Sequence, residues 1–152
     1  MEIREYESRD FDACRALFDE LVEAHRALYP DGEIGSTFEL EGRIFVAEQA
    51  GRVVGYAGLV WHGKRAELEP IVVARDNRGR GVGRALAERV IEEARAGGAV
   101  RVFARPVARN RDAIAFFHSI GLDTLGYVQV QLDFELRERR PAERIAGHEF
   151  RA

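Results

Sequence analysis

Residues 67–86 read Glu-Leu-Glu-Pro-Ile-Val-Val-Ala-Arg-Asp-Asn-Arg-Gly-Arg-Gly-Val-Gly-Arg-Ala-Leu, and this stretch decides the fold. Ile71–Val73 is a short, apolar, β-branched run of the kind that forms a buried strand. Pro70 cannot donate to a ladder, so inside that strand it marks an edge or an irregularity. The chain then turns through polar residues into Arg78-Gly79-Arg80-Gly81-Val82-Gly83. From Val82 the apolar spacing is helical, with Val82, Leu86 and Val90 in one row and Ala87, Ile91 and Ala94 beside it. A strand therefore runs into a glycine-rich turn that opens a helix.

Such a turn suits an anion. The first amides of a helix have no partner within it, and the helix dipole puts partial positive charge there. Glycines let the backbone come close to a bulky group in conformations closed to other residues. Arg78, Arg80 and Arg84 add positive field, so the expected ligand is a phosphate or pyrophosphate. A Walker loop is excluded, because Val82, Gly83 and Arg84 stand where Gly-Lys-Ser/Thr would have to end. A dinucleotide fingerprint is excluded as well. Neither Gly79 nor Gly81 begins Gly-x-Gly-x-x-Gly, and the stretch near Val100 is basic where an acidic residue is required.

Outward from this centre, Glu2–Tyr6 alternates as a strand, and Ser8 or Asp10 caps a helix bearing Cys14, Leu17, Phe18, Leu21 and Val22. A polar loop is expected from Asp31 to Ser36. Arg43–Glu48 and Val53–Trp61 form a hairpin about a turn at residues 49–52, and a turn at His62-Gly63-Lys64 leads into the central strand. Gly97-Gly98 stops the glycine-loop helix. Val100–Arg105 reads as a strand, Asn110 as the cap of a helix facing Ala113, Ile114, Phe117 and Ile120 inward, and Tyr127–Phe134 as a half-buried strand. From Arg137 the chain is charged and weakly patterned. This order predicts one α+β domain over residues 1–136, helices on both faces of its sheet, followed by a tail at 137–152.

Composition narrows the class. The chain has 152 residues, enough for one real core, and a net charge of -3, which opposes a protein devoted to nucleic acid. Its one cysteine, Cys14, permits no internal disulfide and reads as a buried structural thiol, which suits a reducing cytoplasm. No apolar run approaches the roughly 20 residues of a membrane span. No metal site and no membrane partner are expected.

Arg78-x-x-Gly81-x-Gly83 resembles the acetyl-CoA pyrophosphate loop of the GNAT superfamily of N-acetyltransferases, Gln/Arg-x-x-Gly-x-Gly/Ala. Asn110-x-x-Ala113-x-x-Phe116-Phe117-His118-x-x-Gly121-Leu122 resembles the family's later motif, Asn-x-x-Ala-x-x-Phe-Tyr-x-x-x-Gly-Phe. The resemblance covers about residues 1 to 135. It implies a mixed, mostly antiparallel sheet that splays at the cofactor site. It also implies acetyl-CoA held by Arg78, Gly79, Arg80, Gly81, Val82, Gly83 and Arg84, its pantetheine arm paired with the backbone of Ile71, Val72 and Val73 and with Asn110. Phe117 stands where many members carry a tyrosine as general acid. A phenyl ring can wall the thioester pocket but cannot donate a proton, which leaves water, His118 or Tyr127 to assist.

Acetyl transfer to an amine needs a base for the amine's proton and a donor for the developing oxyanion, most simply a backbone N–H near Val72 or Val73. Glu69 is the first candidate base and Glu67 the second. Two apart, they share a side of a regular strand unless a bulge near Pro70 breaks the parity. Either could instead be a solvated or amine-binding carboxylate. The expected activity is an acetyl-CoA-dependent N-acetyltransferase for a primary amine of a small molecule or peptide. The alternatives are an acyl-CoA-binding module with little or regulatory activity and, more distantly, an arginine-based nucleic-acid binder using residues 75–111. A homodimer edged by Tyr127–Phe134 is an open option.

Overall fold

Alternation builds the sheet. In a computed structural model that describes residues 1–30, 37–132, 134 and 141–151 (backbone alone at 141–143), β2 (Arg43–Gln49) and β3 (Arg52–His62) pair antiparallel. They send Phe45, Ala47, Ala57 and Leu59 to one face and Ile44, Val46 and Tyr56 to the other. α1 (Phe11–Leu28) covers the second face with Cys14 and Leu17. α2 (Val82–Ala96) covers the first with Val82, Leu86, Ala87, Val90 and Ala94, joined there by Phe117 of α3 (Arg111–Ser119). The two-residue turn between β2 and β3 has positive φ at both Ala50 and Gly51, the geometry that matches strand twist in a tight hairpin.

The sheet has the order β1-β2-β3-β4-β5, with β1 at Glu2–Glu5, β4 at Arg65–Val73 and β5 at Arg101–Phe103. Every pairing is antiparallel except β4 with β5, which are parallel because α2 crosses over between them. The fold is thus α+β, mostly antiparallel, with helices on both faces.

Two irregularities in β4 shape the surroundings of Glu67 and Glu69. Ala57 pairs with Ile71 and Leu59 with Leu68, so Gly58 alone faces two residues, Glu69 and Pro70. A Cβ on Gly58 would lie 2.1 Å from the Glu69 carbonyl oxygen, which explains the glycine. The extra residue switches the faces: Leu68 packs with the α2 cluster, whereas Val72, an even number of residues on, packs with the α1 cluster. The second irregularity is a divergence. β5 pairs with β4 only from Arg65↔Arg101 to Glu67↔Phe103, and among the described residues no strand flanks 68–73 on that side.

Several expected elements are shifted. Asp10 stands at the N-cap of α1, but its carboxylate makes no bond to that helix. It accepts instead from the Glu7 N–H at 2.8 Å and from Arg4, while Ser8 lies in a short 3-10 turn. The strand expected over Val100–Arg105 shortens to Arg101–Phe103, since the chain leaves β4 after Phe103. Tyr127–Leu132 and Phe134 are not a strand: alternation assigns their faces, but no neighbouring strand pairs with them among the described residues, and Tyr127, Val130, Leu132 and Phe134 are exposed. The described part of the tail is more regular than its sequence suggested, with β6 (Pro141–Ile145) and β7 (His148–Arg151) forming a hairpin. The polar loop expected at 31–36 lies outside the described residues.

Candidate active site

The glycine loop begins where β4 ends. The Ala74 N–H donates to the Val54 carbonyl at 2.9 Å. Alternation along an antiparallel ladder then turns Val72 toward β3, and Ile71 and Val73 toward the side that β5 has left. The Val73 carbonyl accords with this, accepting from Arg78 Nε at 2.9 Å. Past a 3-10 turn at Arg75–Asn77, Gly79 has φ 71° and Gly81, the N-cap of α2, has φ 83°. A Cβ at either would meet nothing within 4 Å, so backbone conformation and open approach, rather than crowding, explain these glycines. No side chain caps α2, and its first intrahelical bond runs from Ala85 N–H to the Gly81 carbonyl at 3.0 Å. The amides of Val82, Gly83 and Arg84 are therefore left at an open, positively polarised helix end. This arrangement can hold an anion.

The arginines are not equally available. Arg78 is tied to Val73, and Arg84 donates to the Ser119 carbonyl at 3.0 Å and lies 3.8 Å from Glu88. Arg80 is exposed. Gly83 has a different role: a Cβ there would sit 3.4 Å from the Phe116 ring, so α2 and α3 meet closely at this point. Asn110 Oδ1 accepts from the Ala113 N–H at 3.0 Å and so caps α3 as its sequence position suggested. Phe117 is buried in the core against Phe116, their ring centres 5.4 Å apart, and His118 is exposed. The segment before α3 is moored to the end of α1, where the Arg109 N–H donates to Tyr29 Oη at 3.0 Å and its side chain to the Leu28 carbonyl at 2.8 Å.

Beside the divergence of β4 and β5, two carboxyl groups converge on one guanidinium. Glu67 is only 1% exposed. Arg105 Nε donates to its Oε1 at 2.6 Å and Nη2 to its Oε2 at 2.9 Å, while His62 Nε2 lies 2.7 Å from the same Oε2. The same Arg105 nitrogen lies 3.6 Å from Glu69 Oε2, and the Glu69 side chain is 59% exposed. Burial alone would raise Glu67, but the hydrogen bonds from Arg105, the Glu69 carboxyl and His62 outweigh it and hold Glu67 below the ordinary carboxylate range. Desolvation, and after it the neighbouring Glu67 carboxyl, push Glu69 upward against the pull of Arg105. One acid is thus fixed and ionised, and the other is outward and proton-hungry. A carboxyl raised in this way is the better proton acceptor of the two. By contrast, Cys14 is buried and its thiol is pushed up to about 12 by desolvation, which leaves it inert.

Arg105 and His62 carried no role in the sequence reading. A buried acid demands a cationic partner, yet Arg105 lies 38 residues from Glu67, and only the parallel pairing of β4 and β5 brings them together.

The profile of the acetyltransferase (GNAT) family matches residues 4–122. The chain belongs to that family. No curated protein matches it, but solved structures do. A mutant of the BH1408 protein from Bacillus halodurans is 21% identical with a TM-score of 0.73, over 90% of this chain and 99% of that one. A ribosomal-protein-alanine N-acetyltransferase from Brucella melitensis is 28% identical with a TM-score of 0.64, over 80% of this chain and 83% of the other. An aminoglycoside N-acetyltransferase solved with CoA is 17% identical with a TM-score of 0.66, over 88% and 94% of the two chains. The GNAT match ends at Leu122, the last residue of the second sequence motif, and so leaves the exposed stretch from Leu125 outside it.

Proposed function

We propose that this GNAT protein is an acetyl-CoA-dependent N-acetyltransferase that acetylates a primary amine of a small molecule or peptide by direct attack on the thioester. The observation that carries the reading is the continuity of the open β4 edge with the positive-φ turn at Gly79 and Gly81 and the uncapped start of α2. The amides of residues 79–84 would bind the diphosphate, with Arg78 and Arg80 at its rim. Ile71 and Val73, the residues turned away from β3, would pair with the pantetheine arm. Asn110 can serve there through its amide nitrogen while its oxygen caps α3. Phe117 backs the pocket from within the core. Acetyl-CoA would supply an activated acyl thioester. Glu69, outward and raised, takes the proton from the amine, and Glu67 stays ionised beside it. An acidic pair at the acceptor end favours a substrate that arrives positively charged.

One observation favours a second reading, an acyl-CoA-binding module with little or regulatory activity. Phe117 offers no proton to a leaving thiolate, and His118 and Tyr127 both face solvent. Thiol release from acetyl-CoA across a panel of primary amines separates the two. Amine-dependent release supports the transferase, whereas tight acetyl-CoA binding with no release for any amine supports the module. The activity is assigned to residues 1–136, with 137–152 as a charged tail. No helix among the described residues is long and apolar enough to cross a membrane, and a cytoplasmic setting is proposed with the activity.

A further inference from the structure

Among the described residues only Asp10 and Glu67 are fully buried acids. Asp10 is gripped by Arg4 and the Glu7 N–H, whereas Glu67 lies two residues from the proposed base. A buried carboxylate held by three donors has little capacity left to accept a substrate proton. Both of its oxygens already receive Arg105, and one also meets His62. Its neighbour Glu69, beside the Glu67 carboxyl, reaches that same arginine only at 3.6 Å. Arg105 therefore puts its short hydrogen bonds on Glu67 alone, and Glu69 is left to desolvation and to the Glu67 carboxyl beside it.

We propose that Arg105 is a positioning residue that sorts the carboxyl pair, fixing Glu67 as the permanent anion and thereby leaving Glu69 as the group that takes the proton. The inference rests on Glu69 being the base of the proposed reaction. The groups facing the pair come from three elements: His62 at the end of β3, Glu67 and Glu69 on β4, and Arg105 just beyond β5. Arg65 is the other nearby cation, and it is turned onto the Phe103 ring, 5.7 Å from its centre. Phe103 also flanks His62, with ring centres 5.7 Å apart, and Arg105, 6.0 Å away, so one ring lies against both partners of Glu67. Without Arg105, Glu67 would remain buried with His62 as its one remaining side-chain donor from outside the pair, and desolvation would make it the better proton holder. Glu69, relieved of a fixed negative neighbour, would fall toward its ordinary value and become a weaker base.

The test is carbon-13 NMR titration of the glutamate carboxyls in the full chain, assigned with Glu67→Gln and Glu69→Gln. In the wild-type protein Glu67 should titrate first, as pH rises, and Glu69 after it. In Arg105→Gln the order should invert, with Glu67 rising by at least one pH unit, a tenfold gain in proton affinity. Should Arg105→Gln fail to fold, Arg105→Lys keeps the charge but not the planar two-point grip, and it must still narrow the gap. An unchanged gap in either variant, or Glu69 titrating first in the wild type, overturns the proposal. Turnover of Glu69→Gln separates this from the reading beneath it. Full turnover with an inverted order in Arg105→Gln removes the base assignment and keeps the sorting. Lost turnover with an unchanged order removes the sorting and keeps the base.

Discussion

The molecule builds the same triad of parts twice. At one edge of the sheet Arg4 joins the buried Asp10 to Glu48, and at the other Arg105 joins the buried Glu67 to Glu69. The first is closed. Arg4 is 15% exposed, and its three nitrogens reach Asp10 at 2.7 and 2.9 Å, Glu48 at 2.7 and 2.9 Å and the Glu5 carbonyl at 3.1 Å. The second is open: Arg105 is 68% exposed, and the outer acid touches it weakly. In the closed clamp the Arg4 bonds hold Asp10 below its ordinary value, whereas in the open one Glu69 is driven up. An arginine between two acids makes a fastener where both are gripped closely, and leaves the outer carboxyl raised where desolvation and the neighbouring acid outweigh one long contact.

This contrast can be broken at either end. The largest effect is expected from Glu69→Gln, which should lower kcat by about 10²–10⁴ while leaving the acetyl-CoA Kd unchanged by calorimetry. An equal loss from a variant of the closed clamp would erase the distinction. Arg4→Ala should instead leave kcat per folded molecule intact and cost about 2–4 kcal/mol in a urea titration, because it strands a buried carboxylate. Gly58→Ala tests the geometry that puts Glu69 beside Glu67. Its methyl collides with the Glu69 carbonyl, so a loss of about 1–3 kcal/mol should come together with lower kcat. Retained activity at unchanged stability would show that the bulge is not needed.

The smallest predicted effects concern pH and have opposite signs at the two sites. A carboxyl lowered by folding stabilises the protein above its unfolded pKa, and that contribution is lost as pH falls through the folded value. Asp10 is such a group, so wild-type stability should drop faster below about pH 4 than that of Asp10→Asn. A carboxyl raised by folding does the reverse and costs stability once pH has climbed through its folded value. Glu69→Gln should therefore melt slightly higher than wild type at pH 7, with the advantage vanishing near pH 4. An inactive variant that melts lower at pH 7 would mean that Glu69 is a structural acid like Asp10.

Much of the fold was legible because it is written locally. The alternation of β2 and β3, the helical spacing after Val82 and the glycines at positive φ each leave a mark within a few residues. Pro70 announced an irregularity in β4 at the place where Gly58 faces two residues. The strand expected at Tyr127–Phe134 failed for a related reason, since pairing depends on a neighbour that no local pattern reveals. The site divides the same way. The glycine loop and the Asn110 cap could be read from spacing, but which of Glu67 and Glu69 is withdrawn could not. That choice is made by His62 and Arg105, whose approach depends on the register of β3, β4 and β5.

The most direct measurement is a CoA titration of nitrogen-15-labelled protein followed amide by amide. The largest shifts should fall at Gly79, Gly81, Val82 and Gly83, with Ile71 and Val73 responding and the β1–β2 edge silent. Saturable binding that moves other amides and leaves residues 79–83 unchanged, or no binding at all, would contradict a diphosphate site at the start of α2.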